Sequence, residues 1–368
     1  MGKKKEICPM KKTSIGGQAL IEGIMMRGPQ RTAMAVRNTQ GEIVVEKWDN
    51  VPADKPNSFL DTLKKVPIIR GVINFASSMS MGYKCLMRSA EISGLEELEE
   101  EERRKKEAKK AEKRKKKKEP DDPAAEVVAK VETSPSEPEE AVEMVSDDPK
   151  KEEKNSSSVL MAVIGVISMI IAMCLAVVLF LWLPTFLYEL LSGAIPSIAG
   201  NGFLKSVFEG IFKVVILVAY MACVSLMKDI RRTFMYHGAE HKTIFCYEAG
   251  LELTVENIRE QKRFHPRCGT SFLIVMVLVG IFIGFFIPGT LPTVLRVAIK
   301  ILLLPITMGL GYEFIKLAGK HDNIITRILS APGLLMQRIT VFEPTDDMIE
   351  CAIAAVKEVI PEDGSDQI

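Results

Sequence analysis

The chain has 368 residues, enough for two or three modest domains, and its net charge of +1 averages very unlike segments and so identifies no partner. Seven cysteines, odd in number and scattered from Cys8 to Cys351, exclude a disulfide framework. "MGKKKEICPMKKTSIGG" has the positive charge of a secretory signal but no apolar stretch after it, so the early chain is expected to stay in the cytoplasm.

Residues 1–95 read as an N-terminal cytoplasmic module. "GGQALIEGIMMRGP" (Gly16–Pro29) places glycines around a short apolar stretch; it has neither Gly-x-Gly-x-x-Gly nor a Gly-Lys-Ser/Thr ending, so its glycines read as tight turns rather than a phosphate loop. Two alternating apolar runs flank Asn38-Thr39-Gln40-Gly41 and predict a β-hairpin. Residues 66–90 have helical spacing and few charges, which suits packing on a membrane surface or on a helix bundle.

Residues 96–158 form a charged linker, a Glu/Lys/Arg run followed by an acidic Pro/Ser-rich stretch, whose composition cannot bury a core. Its lysines have no interleaved aromatic residues, which argues against specific nucleic-acid recognition. Contact of its lysines with anionic lipid or ribosomal RNA is an alternative to a simple solvated tether.

Residues 159–318 hold four apolar segments near the length of about 20 residues that a spanning helix needs: 159–183, 207–227, 270–287 and 294–318. The loop of residues 228–269 carries eight Lys and Arg residues, the 184–206 loop only Lys205, and the 288–293 loop none. This asymmetry places both termini and the 228–269 loop inside the cell. With that topology Glu209, Lys213, Arg296 and Lys300 share a depth, so Glu209 is expected to face Arg296 or Lys300 unless all four reach toward the interface. The tail, residues 319–368, contains an amphipathic helix with Thr345 as N-cap. The expected fold is mainly α and integral to the membrane. It is a four-helix transmembrane bundle with a small N-terminal cytoplasmic α+β module containing the hairpin.

The chemistry concentrates in "YHGAEHKTIFCYEAG", Tyr236–Gly250, which holds two of the four histidines. The span ending at Met227 is expected to continue as a helix, on which His237 and His241 project from one face, close enough to share a metal. Glu240 stands beside them as a general base toward water. The order His-x-x-Glu-His also occurs in one class of metallopeptidases. Glu248 shares the stripe of His241 but lies about 10 Å further along a straight helix, so a third ligand must come from elsewhere. His265 or Cys268, just before the third apolar segment, supplies it, and Glu313, His321 and Asp322 fall in the same layer. The plainer readings are a wet helix face for the two histidines and a phosphate or other anion held by Arg263, His265 and Arg267.

Four blocks in order, "GGQALIEGIMMRGP", "HGAEHKTIFCYEAG", "HPRCGTSF" and "GYEFIKLAG", resemble the signature stretches of the YqhQ-like family of bacterial membrane proteins, predicted metal-dependent enzymes. The resemblance spans the chain apart from the 96–158 linker. It implies an inner-membrane protein with a cytoplasmic site built from those blocks, to which Glu22 and Arg27 of the first block belong.

The expectation is therefore a multi-pass cytoplasmic-membrane protein with membrane lipid as its neighbour and membrane proteins as further candidate partners. It carries a divalent metal of the zinc type on His237, His241 and either His265 or Cys268, with Glu240 as base in a hydrolase at the inner face. The alternative is a non-enzymatic assembly or adaptor protein with a structural metal or an anion or lipid-headgroup site. A transporter ranks third, because the apolar segments lack a run of polar residues at mid-depth.

Overall fold

A computed structural model describes residues 12–50, 66–94, 165, 167–198, 200–320 and 323–367. The charged linker, His321 and Asp322 lie outside the described residues. The chain divides into Met1–Glu96 with Val177–Ile368 and, separately, Glu97–Ala176. Among the described residues, every strand and helix belongs to the first unit, apart from the first turns of one long helix.

The N-terminal module is a four-stranded antiparallel meander, β1 (Gly16–Leu20), β2 (Gly23–Arg27), β3 (Arg31–Arg37) and β4 (Ile43–Asp49). The expected hairpin is β3–β4, with Val36 opposite Val44. Its turn is held by Asn38, whose side-chain oxygen accepts from the Gln40 and Glu42 amides, and by Gly41 at φ 87°. The glycine-rich block, expected to hold tight turns, does contain one. It is the first hairpin, β1–β2, closed by the two residues Ile21 and Glu22, with Glu22 at a left-handed φ of 51°.

Alternation along the strands sends side chains to two different cores. Ile24, Met26, Ala33 and Ala35 enter one with α4 (Lys228–Glu248) and α10 (Asp346–Lys357). Leu20, Met25, Met34 and Val36 enter the other with Cys85 of α1 (Ile69–Ile92). Both faces of the sheet are thus covered, which is why β2 and β3 are continuously apolar.

The apolar helices are α2 (Ile167–Ala194), α3 (Gly202–Ser225), α6 (Gly269–Gly284), α7 (Thr293–Leu302) and α8 (Leu304–Lys320). Two of them, α2 and α3, are long and apolar enough to cross a membrane. A third crossing exists if α7 and α8, bent by 49° at Leu303, count as one. Among the described residues the expected four spans therefore reduce to two or three by length, because α6 has only 16 residues. Helix α2 passes through Pro184 rather than ending there, since the π-turn Val178–Trp182 just before it absorbs the missing amide.

Helix α3 does not run on into the histidine segment. It stops at Ser225, Met227 is extended with ψ 131°, and α4 starts afresh at Lys228. A short α5 (Val255–Arg259) follows. Helix α9 (Ile324–Thr340), absent from the sequence expectation, packs Met336 against Leu217 of α3 and Ile274 of α6. Helix α10 begins after Thr345 as expected, but the Thr345 side chain makes no capping hydrogen bond.

Glu209 does face both expected cations. Its Oε1 lies 3.2 Å from Arg296 Nε and accepts from Thr185 Oγ1 at 2.9 Å, while Oε2 accepts from Lys300 Nζ. Arg296, fully buried, also donates to the Ile287 and Pro288 carbonyls.

Candidate metal centre

Three segments build the site: α4, the turn before α6, and the end of α9. His237 and His241, one turn apart on α4, have ring centroids 4.4 Å apart. The turn closed by the Cys268 amide donating to His265 O brings Cys268 Sγ to 3.1 Å from His237 Nε2. One ligating atom from each of His237, His241 and Cys268 lies within 4.8 Å of the others, and among the described residues this is the one such group of three.

Backbone carbonyls fix how the two imidazoles present themselves. His237 Nδ1 lies 3.0 Å from Thr340 O, and His241 Nδ1 lies 2.6 Å from Arg263 O. A carbonyl only accepts, so each Nδ1 carries the proton and each Nε2 keeps its lone pair. His241 Nε2 is buried with no hydrogen-bond partner. This orientation by an outer carbonyl is the usual support of a metal-bound histidine.

His265 is set the other way. Its Nδ1 accepts from the Arg267 amide at 3.3 Å, so its proton sits on Nε2, which points at Glu248 Oε2 3.6 Å away. Gln337 brackets its backbone with two hydrogen bonds, at 2.9 and 2.8 Å. Of the two expected third donors, the structure brings Cys268 to the pair and places His265 in a separate network. There Glu248 accepts from the Thr13 amide at 2.8 Å and from Arg267.

Glu240, three residues after His237, is buried. Its Oε1 accepts from the Gly17 amide at 3.0 Å, and its Oε2 has no partner. A Cβ on Gly17 would stand 2.6 Å from Met25 O and 3.0 Å from Glu240 Cδ, so only glycine lets strand β1 come this close. The other residues expected here are committed elsewhere. Glu22 pairs with Arg232 and accepts from the Tyr236 hydroxyl at 3.3 Å. Arg27 donates to Ser78 Oγ, and Glu313 forms a two-pronged pair with Arg70.

Electrostatics separate the groups. Burial raises the Glu240 carboxyl above the usual range, against the opposing effects of His237 and the Gly17 amide. Burial lowers both His241 and His265, which favours neutral imidazoles. Burial alone would raise Glu248 as well, but His265, the Thr13 amide and Arg267 outweigh it and hold that carboxyl low.

Gly17, Gln337 and the carbonyls of Thr340 and Arg263 went unseen in the sequence. The Gly16-Gly17 pair was a signal, since a glycine inside a strand marks a close backbone approach; the carbonyls carry none.

The family described as "Protein of unknown function (DUF1385)" matches residues 66–362. The chain belongs to this family. It is also 32% identical to the "Uncharacterized protein YqhQ" of Bacillus subtilis over 346 residues, 94% of this chain and 92% of that protein. The family match includes His237, Glu240, His241 and Cys268 and begins after the sheet that supplies Gly17. No solved structure matches the chain.

Proposed function

We propose that the protein is a metal-dependent hydrolase at the cytoplasmic face of a bacterial membrane, with a divalent ion of the zinc type on His237, His241 and Cys268. One observation carries the reading. Two imidazoles with Nε2 lone pairs and one thiol converge, and His237 acts electrostatically on the buried carboxyl of Glu240, one of whose oxygens has no hydrogen-bond partner. The donor set fits the ion: imidazole and thiolate together suit zinc, and three protein ligands are the number a catalytic site keeps. The apolar α2 and α3 support the membrane setting, and the Lys and Arg content of residues 228–269 supports the inner face.

Bound there, the ion would supply Lewis acidity toward a water and a substrate oxygen. The chain's own residues do the rest. Thr340 O and Arg263 O hold the imidazoles in register, Glu240 Oε2 takes the proton of the attacking water, and the Gly17 amide keeps Oε1 fixed while it does so.

The enclosure of His241, 1% exposed, favours a second reading, a structural metal site in a membrane assembly protein. Metal analysis of the purified full chain tests the first step, with about one ion per chain expected and its loss in Cys268→Ser. Glu240→Gln should keep the metal and fail to complement a deletion strain. Full complementation by Glu240→Gln, with none by His237→Ala, makes the site structural.

A further inference from the structure

The apolar helices border a half-open cavity of about 380 Å³, lined by Leu217 and Met221 of α3, Met276 and Val277 of α6, and Leu303 near the α7–α8 bend. It is distinct from the metal centre, and its polarity is uneven. On α3 the lining residues Lys213, Leu217, Tyr220 and Met221 follow one face for about 12 Å, with the lysine at one end. Lys300 and Ile287 also line it, and Ile287 O accepts from Arg296, so the cationic groups gather at that same end. The far end, around Leu273 and Met276, is apolar.

Charge does not balance at the polar end. Three cations, Lys213, Arg296 and Lys300, surround one carboxylate, Glu209. Arg296 and Lys300 already share Glu209, and among the described residues Lys213 makes no hydrogen bond or ion pair. An ammonium with no hydrogen-bonded counter-ion beside an apolar cavity is costly unless an anion meets it. The volume lies near the small end of ligand pockets, which run roughly 300–1,000 Å³. It has room for one acyl chain rather than two.

We propose that this cavity binds a single-chain anionic amphiphile, its carboxylate or phosphate head on Lys213 and Lys300 and its chain running toward Leu273. The site does not depend on the metal centre.

A fatty acid carrying a diazirine near its chain end tests this with the full chain in phosphatidylcholine nanodiscs. After irradiation, label should appear in the peptide containing Leu273 to Val277. Excess laurate, dodecyl phosphate or both should suppress it, and whichever suppresses names the head. Dodecanol and inorganic phosphate should not. Lys213→Met should cut labelling at least tenfold while Lys213→Arg retains it. Gly280→Leu provides an independent block: Gly280 lines the cavity and a Cβ there meets nothing within 4 Å, so a larger side chain has open space at its root. Its melting temperature should match wild type while labelling falls. Suppression by dodecanol as strong as by laurate, suppression by inorganic phosphate alone, or unchanged labelling in both Lys213→Met and Gly280→Leu overturns the proposal.

Discussion

The two oxygens of Glu240 have unlike surroundings: one accepts the Gly17 amide, the other meets no donor. Without a cation nearby the carboxylate is therefore costly, and burial raises its pKa in the folded state. A group raised on folding contributes stability below its unfolded value, about 4.3, and loses it as pH rises through the folded value. Metal-free Glu240→Gln should accordingly be more stable than metal-free wild type at pH 7, by roughly 1–3 kcal/mol, the cost of an unmet buried acceptor. A lower melting temperature for the variant would show that the charge serves the fold. His241 and His265 act in the opposite direction. Both are lowered on folding, so the stability they contribute is present above about 6.5 and is lost as pH falls through their folded values. The metal-free melting temperature should drop on the acid side of that value in wild type and in Glu240→Gln alike, and thermal melts between pH 5 and 8 would check it. The His-x-x-Glu-His spacing made the first half of this cluster legible. The choice of Cys268 over His265 was not, because it turns on which ring nitrogen faces a carbonyl, and any residue type supplies a carbonyl.

At the scale of elements, α4 depends on a neighbour that touches it without a side chain between them. Gly238 sits inside the helix, and a Cβ there would overlap Phe342 O, whose segment is pinned by the Phe342 amide donating to Phe234 O at 3.0 Å. That segment directly follows Thr340, the residue that orients His237. Gly238→Ala should push the segment outward and loosen the Thr340 carbonyl from His237 Nδ1. Disturbing such an outer contact costs roughly 10–100-fold in metal affinity. Chelator competition on the purified variant would measure the loss, and unchanged affinity would mean that the carbonyl does not orient the ring. The turn residues Asn38 to Gly41 revealed the β3–β4 hairpin, and periodicity revealed α1 and α10, each of which has one regular apolar face. It hid β1–β2, whose two covered faces leave no alternation to detect, and α9, whose internal Pro332 reads as a stop.

At the scale of the whole molecule, the apolar helices are tied together by one charge cluster rather than by apolar contact alone. Glu209 of α3 receives Arg296 and Lys300 from α7, and Thr185 of α2 donates to the same carboxylate. The second and fourth apolar runs are expected to cross in the same direction, which puts these charges at one depth, so the pairing was readable even where the helix limits were not. Removing one partner of a buried pair strands the other, at about 3–5 kcal/mol. Glu209→Leu should therefore lower the unfolding midpoint steeply, whereas Glu91→Gln, which breaks an exposed pair with Arg88, should leave it unchanged. The triple variant Glu209→Leu, Arg296→Met, Lys300→Met separates stranded charge from lost contact. An all-apolar replacement of a buried ion cluster is often close to neutral, so most of the lost stability should return. If the triple variant unfolds as easily as Glu209→Leu alone, what the cluster contributes is the geometry of its hydrogen bonds, with Arg296 anchoring the Ile287 and Pro288 carbonyls that no methionine can reach.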